Sequence, residues 1–156
     1  MTDGRLSLKR MPVENVMTRT VKTIEGKKLV EDSIRLMREN DIGCVVVVEG
    51  EIPIGIFTER DLLRRVAENP RNLRLAMADA MSKPLKTVIP TASVWDAIEV
   101  MNNDKIRHLP VVNEEKLVGI LSQRDVLRFF FSHKDLLLAA IGLEEMRRFM
   151  KVERRL

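Results

Sequence analysis

Two short stretches of the chain place a hydroxyl three residues ahead of a carboxylate, Thr58-Glu-Arg-Asp61 and Ser122-Gln-Arg-Asp125, and each follows a glycine, Gly55 or Gly119. That spacing has two chemical readings. In the first it is a capping box: the hydroxyl accepts from an early N–H of a helix while the acid reaches back to the cap, a local contribution of about 0.5 to 2 kcal/mol. In the second the same corner holds a ligand. A helix start with a free hydroxyl presents N–H groups and the positive dipole end to an anion such as a phosphate. An ionised aspartate offers two acceptor oxygens that suit the paired hydroxyls of a ribose. Glycine before the cap either permits close strand packing or lets a ligand approach the backbone. Both readings are open on the residues alone.

The two corners belong to a duplication. Residues 13 to 64 align without a gap on residues 77 to 128, with identities that include Met17/Met81, Lys22/Lys86, Asp32/Asp96, Met37/Met101, Gly55/Gly119, Arg60/Arg124, Asp61/Asp125, Leu63/Leu127 and Arg64/Arg128. Periodicity inside one copy predicts a strand over Thr20 to Ile24, a helix from about Leu29 to Asn40, strands over Cys44 to Val48 and Ile54 to Phe57, and a helix opening at Glu59. The second copy predicts strand, helix, strand, strand and helix over KTV, Val94 to Asp104, LPVV, LVGIL and RDVLRFFF. A β-α-β-β-α unit of this size buries too little apolar surface to stand alone, so two units packed about a pseudo-twofold axis are expected, in an α+β fold.

A methionine-led strand, a helix, two strands and a glycine-led Thr/Ser-x-x-Asp corner, in tandem, resemble the cystathionine-β-synthase (CBS) domain family. The resemblance covers roughly residues 11 to 130, as repeats over 11–66 and 75–130. It implies a regulatory module that binds an adenosine-containing ligand, AMP, ADP, ATP or S-adenosylmethionine, between the repeats, with no obligatory cofactor. By the same resemblance Asp61 and Asp125 would hold ribose, and Thr58 and Ser122 would lie near ribose or phosphate. The backbone at Thr20 and Val21, and at Pro84 and Leu85, would meet the adenine edge, and Arg124 joins the candidate ligand-binding set. The copies differ where phosphate would be met, because copy two carries Arg107-His108 and copy one Gly43-Cys44. A guanidinium forks onto phosphate oxygens and an imidazole adds a donor, so the second cleft is expected to be the tighter nucleotide site.

The remaining chain bounds the other classes. The net charge is +4, of which the first ten residues carry +2 and residues 144 to 156 carry +2, so the repeated body is neutral. The basic ends make nucleic acid the alternative partner, disfavoured by the absence of a strand-face aromatic set for base stacking. No Walker loop, nucleophile elbow or His-Glu-x-x-His pattern is present, and the lone cysteine and two histidines have no ligand spacing, so neither catalysis nor a metal is expected. Apolar runs of about five residues fall far short of the ~20 needed to cross a bilayer. With no apolar leader at the N-terminus and a single cysteine, a cytoplasmic location is expected. Residues 132–156 form an amphipathic pattern with an apolar seam at Leu136, Ala139, Leu143, Met146 and Met150, expected either to cover the module or to join two copies. A homodimer is the expected assembly, acting in trans on an unidentified protein.

Overall fold

The computed structural model describes residues 10–133, so the amphipathic segment expected beyond His133 and most of the basic N-terminal stretch lie outside the described residues. Among these residues the chain forms β1 (Thr23–Glu25), α1 (Val30–Asn40), β2 (Cys44–Glu49), β3 (Ile52–Thr58) and α2 (Glu59–Glu68). A 3-10 turn (Pro70–Arg74) and α3 (Met77–Ala80) follow, then α4 (Val94–Asn103), β4 (His108–Asn113), β5 (Lys116–Ser122) and α5 (Gln123–Ser132). The fold is the α+β arrangement of two like units that the duplication predicts. No described helix is long and apolar enough to cross a membrane.

The local causes are visible in each element. The β-branched run at Val45–Val48 gives β2, which pairs antiparallel with β3 and parallel with β1. Asp32 accepts from the Leu29 N–H at 3.0 Å to open α1, which turns Val30 and Met37 into the core and closes on Asp41 at φ 52°. In copy two the Ser93 hydroxyl accepts from the Asp96 N–H at 3.0 Å and opens α4, which buries Val94, Ala97 and Met101.

Two expectations about strands are corrected. The first strand begins at Thr23 and not at Thr20, because Thr18 is already bonded to the other repeat: it donates to the Ile120 carbonyl and accepts from the Ile120 N–H, both at 2.9 Å. The chain reaches β2 only afterwards, where the Lys22 carbonyl accepts from the Val46 N–H at 3.2 Å. The strand expected at KTV is reduced to a single bridge between Val88 and Val111, and the second sheet holds only β4 and β5. Two prolines explain the loss. Pro110 stands where copy one has Val46, and Pro90 stands where copy one has Gly26, whose N–H bonds the Val48 carbonyl at 2.9 Å. Neither proline has an N–H to give, so each end of that strand loses a rung.

The cores do not coincide with the sequence repeats. Met11, Val13 and Met17 are buried with Val94, Ala97, Met101, Leu109, Val111, Leu121 and Val126 of copy two. Met77, Ala80 and Met81 are buried with Ile24, Val30, Met37, Val45, Val47 and Phe57 of copy one. Each repeat therefore lends its leader segment to the other. The exchange is reciprocal to the residue: Val94 N donates to the Met11 carbonyl as Val30 N does to Leu75, Val13 N to Ala92 as Met77 N does to Lys28, and Glu14 N to Pro90 as Ala78 N does to Gly26. That reciprocity is the mark of a twofold relation between the units. At about 1.5 to 3 kcal/mol for each fully buried Val or Met side chain, one leader supplies several kcal/mol, comparable to the whole stability of a small domain.

The repeated glycines fit this exchange. A Cβ on Gly55 would meet Met81 Cγ at 2.7 Å and Cβ at 3.1 Å, and one on Gly119 would meet Met17 Cγ at 3.0 Å and the Thr18 carbonyl oxygen at 3.1 Å. Of the two roles open to these glycines, close packing is the one the structure uses: each leaves a notch for the methionine of the opposite leader. Gly55→Ala and Gly119→Ala are each expected to cost about 1 to 3 kcal/mol through overpacking, read as a drop in thermal midpoint. An unchanged midpoint would show that the methionine moves aside freely.

Candidate functional site

Both hydroxyl-carboxylate corners are formed capping boxes. Asp61 Oδ2 accepts from Thr58 N at 2.9 Å and from Thr58 Oγ1 at 2.7 Å, while Asp61 N donates to Thr58 Oγ1 at 3.3 Å. Asp125 Oδ2 accepts from Ser122 N at 2.9 Å and from the Ser122 hydroxyl, and Asp125 N donates to Ser122 Oγ at 3.1 Å. The caps use only Oδ2. Oδ1 of each aspartate turns to the leader of the other repeat: Ser82 Oγ donates to Asp61 Oδ1 at 3.0 Å, and Thr18 Oγ1 donates to Asp125 Oδ1 at 3.3 Å.

This crossing decides which candidate residues come together. Thr18, which meets Asp125, stands two and three residues before Thr20 and Val21, and Ser82, which meets Asp61, stands two and three residues before Pro84 and Leu85. A cleft of about 210 Å³ lies on the Asp61 side, lined by Asp61, Arg64, Arg65, Glu68 and Ser82. Arg65 is tied down there, with Nε and Nη2 donating to the Ala80 carbonyl at 3.4 Å and Nη1 3.6 Å from Glu68 Oε2. On the other side Arg128 Nη1 lies 3.8 Å from Asp125 Oδ1, and the aspartate side chain is only 11% exposed. Sequence reasoning missed Thr18, Ser82, Arg64 and Arg65. The signal was a hydroxyl after each repeated methionine and an arginine repeated at i+3 from each aspartate.

Arg107 and His108 sit where β4 begins. The Arg107 carbonyl accepts from Gln123 N at 3.0 Å, which ties this loop to the start of α5, and the register pairs His108 with Ser122. Directly opposed residues share a face of the ladder, so the imidazole stands beside the Ser122 cap. Burial pushes the His108 pKa below its ordinary 6.5, opposed by the Asp125 carboxylate and reinforced by the Arg107 and Arg124 guanidiniums, while Glu59 of copy one also pulls it upward. Its counterpart Cys44, paired with Thr58, has its thiol pushed up to about 12 by burial and by the charges of Glu59 and Asp125. A thiol held protonated at neutral pH is a poor nucleophile. Glu59 and Asp125 act on residues of both copies, so the starts of β2, β4, α2 and α5 gather near the twofold axis. Arg60 bridges there as well, with Nη1 3.5 Å from the Lys105 carbonyl. Among the described residues no group of three or more His, Cys, Asp and Glu side chains could hold a metal.

His108 binds a proton less readily in the folded protein than in the unfolded chain, so its contribution to stability is complete above pH 6.5 and is lost as the pH falls below it. Thermal midpoints measured from pH 7.5 to 5 are expected to fall less steeply in His108→Gln than in the wild type. Parallel curves would show that His108 does not carry the dependence.

Comparison with known proteins agrees with this architecture. The CBS domain model matches residues 13–68 and 77–132. The CBS domain-containing protein YhcV of Bacillus subtilis is 31% identical over 114 residues, 73% of this chain and 81% of that one. Protein MK0525 of Methanopyrus kandleri is 36% identical over 147 residues, 92% of this chain and 72% of its own. The crystal structure of the CBS-domain containing protein ATU1752 from Agrobacterium tumefaciens superposes with a TM-score of 0.72 at 27% identity, covering 82% of this chain and 96% of that one. The CBS domain pair of MJ0100, solved in complex with 5′-methylthioadenosine and S-adenosyl-L-methionine, shares the fold at a TM-score of 0.71 and 19% identity over 78% of this chain and 97% of its own. Two matched repeats with exchanged leaders and a capped aspartate in each place this chain in the CBS domain family, as a tandem pair.

Proposed function

We propose that the chain is a regulatory module that binds an adenosine nucleotide, AMP, ADP or ATP, in clefts at Asp61 and Asp125 and reports its occupancy to a partner protein in trans. The observation that carries this reading is the pair of aspartates whose Oδ2 is spent on a helix cap and whose Oδ1 faces the seam between repeats. Thr58 and Ser122 open the helices whose first N–H groups suit an anion. Thr20, Val21, Pro84 and Leu85 follow two and three residues after the hydroxyls that meet the aspartates, and on this reading their backbone meets the base of a ribose held there. Arg107, His108 and Arg124 supply cationic and donor groups beside the Ser122 cap and favour a phosphate-bearing ligand in the second cleft. A second reading, S-adenosylmethionine, is favoured by the ligands of the MJ0100 pair, which shares the fold.

A homodimer is part of the same proposal. Leu63 and Leu127 occupy equivalent positions on α2 and α5 and are 72% and 52% exposed, with Phe131 69% exposed one turn beyond Leu127. Two exposed leucines at equivalent positions of the two repeats are each open to a matching leucine of a second copy.

Calorimetric titration with AMP, ADP, ATP and S-adenosylmethionine is expected to show binding by one of them, weakened about ten- to a hundredfold in Asp61→Asn or Asp125→Asn. Asparagine keeps the cap acceptor but places an amide where the ribose-facing oxygen was. Heat from none of the four ligands would sink the nucleotide reading. For the dimer, Leu63→Asp with Leu127→Asp is expected to turn the wild-type sedimentation coefficient into that of a monomer, and an unchanged coefficient would locate the contact elsewhere.

A further inference from the structure

We propose that the two clefts select for opposite phosphate charge. The Glu59 carboxylate, seated on Gly43, makes the Asp61 cleft prefer the adenosine ligand with the fewest phosphates, while Arg107 beside the neutral Gln123 makes the Asp125 cleft prefer the one with the most. The inference rests on the nucleotide reading above and adds which ligand each cleft selects. It makes Glu59 a specificity-determining residue.

Most charges around the two caps match from copy to copy. Arg60 and Arg64 stand where copy two has Arg124 and Arg128. Arg65 and Glu68 have the uncharged Phe129 and Ser132 as counterparts, but they pair with each other at 3.6 Å, and Arg65 also spends Nε and Nη2 on the Ala80 carbonyl. That pair brings no net charge to its cleft. The difference is left to one corner, Gly43 with Glu59 in copy one and Arg107 with Gln123 in copy two. Both changes run in the same direction, since copy one has a carboxylate in place of an amide and lacks the guanidinium.

The backbone of this corner is the same in both copies. Glu59 N donates to the Gly43 carbonyl and Gln123 N to the Arg107 carbonyl, each at 3.0 Å. Only the side chains over it differ. A Cβ at residue 43 would meet Glu59 Oε2 at 3.1 Å and Cδ at 3.3 Å, so the carboxylate lies against the bare glycine and a larger residue there would crowd it. The seat is next to the Thr58 cap, because Cys44, which follows Gly43, pairs with Thr58 in the strand register. The first turn of α2 therefore holds two carboxylates, Glu59 and Asp61, where that of α5 holds Asp125. A carboxylate at a helix start is favoured by the same dipole that would favour a phosphate, and it repels a phosphate brought beside it. Its charge is felt at the neighbouring Cys44 thiol, whose pKa it helps to raise.

The test is calorimetric titration of the whole chain with adenosine, AMP and ATP, without divalent cations so that the phosphate charge is bare. Asp125→Asn weakens one cleft so that the other is read, and Asp61→Asn does the reverse. With Asp125→Asn the chain is expected to bind adenosine or AMP about tenfold more tightly than ATP, and with Asp61→Asn to bind ATP about tenfold more tightly than adenosine. Glu59→Gln gives copy one the side chain of copy two. Added to Asp125→Asn, it is expected to raise ATP affinity about tenfold relative to adenosine. Added to Asp61→Asn, it should leave the ranking as it was. If both clefts rank the three ligands alike, if the Asp61 cleft binds none of them, or if Glu59→Gln shifts adenosine and ATP equally, the division by charge is overturned while the nucleotide reading stands. Silence of the wild type toward adenosine and all its phosphates overturns both.

Discussion

The packing of Met17 over Gly119, and of Met81 over Gly55, is the contact on which the rest of the molecule depends. A strand that carries a side chain at either glycine could not receive the opposite leader this closely. Without the leader, the edges of β3 and β5 would keep the bridges to Ser82 and Thr18 unmade, and two cores would lie open on one side. Hydrophobic burial drives the association, but the notch fixes its register. Register matters because a shift of one residue along a strand turns every side chain to the wrong face.

That register delivers the chemistry. The residue after each methionine is a hydroxyl, and fixing the methionine fixes the hydroxyl beside the aspartate of the other copy. The capping box then serves two ends. It opens a helix by local bonds, and it holds the carboxylate so that one oxygen faces the seam. Charge gathers along the same seam, where Glu59 of copy one and Asp125 of copy two both act on Cys44 and His108. Any anion entering near His108 meets arginines at 107 and 124 and carboxylates at 59 and 125, a balance that the copy-one side, with Gly43-Cys44, does not reproduce.

Much of this was legible in the sequence because its causes are local. The run at Cys44–Val48, the stripe through Val30 and Met37, and the Ser/Thr-x-x-Asp corners announce β2, α1 and two capped helices from residues within a few positions of one another. The duplication was legible because two copies drift independently unless a shared structure restrains them. The leader exchange was not, since a bridge such as Pro12 to Ser93 leaves no periodic trace between its ends. Its only marks were the matched methionines and glycines, which also fit a glycine kept clear for a ligand. The shortened strand of copy two failed for a related reason. Its own residues favour a strand, and the missing donors belong to Pro90 just past its end and to Pro110 on its neighbour.

The exchanged leaders also constrain what a half-molecule could be. A chain of one repeat would carry a leader with no core to enter and a core with no leader to close it. Two such chains could satisfy each other only by trading segments, as a domain-swapped pair whose formation depends on concentration. Joining them through the stretch at Pro70–Arg74 makes the trade intramolecular, so the swapped state is reached at any dilution. Once joined, the two copies were free to diverge at the positions that the swap does not use, and the equivalent position that is Cys44 in one copy and His108 in the other is one place where they did.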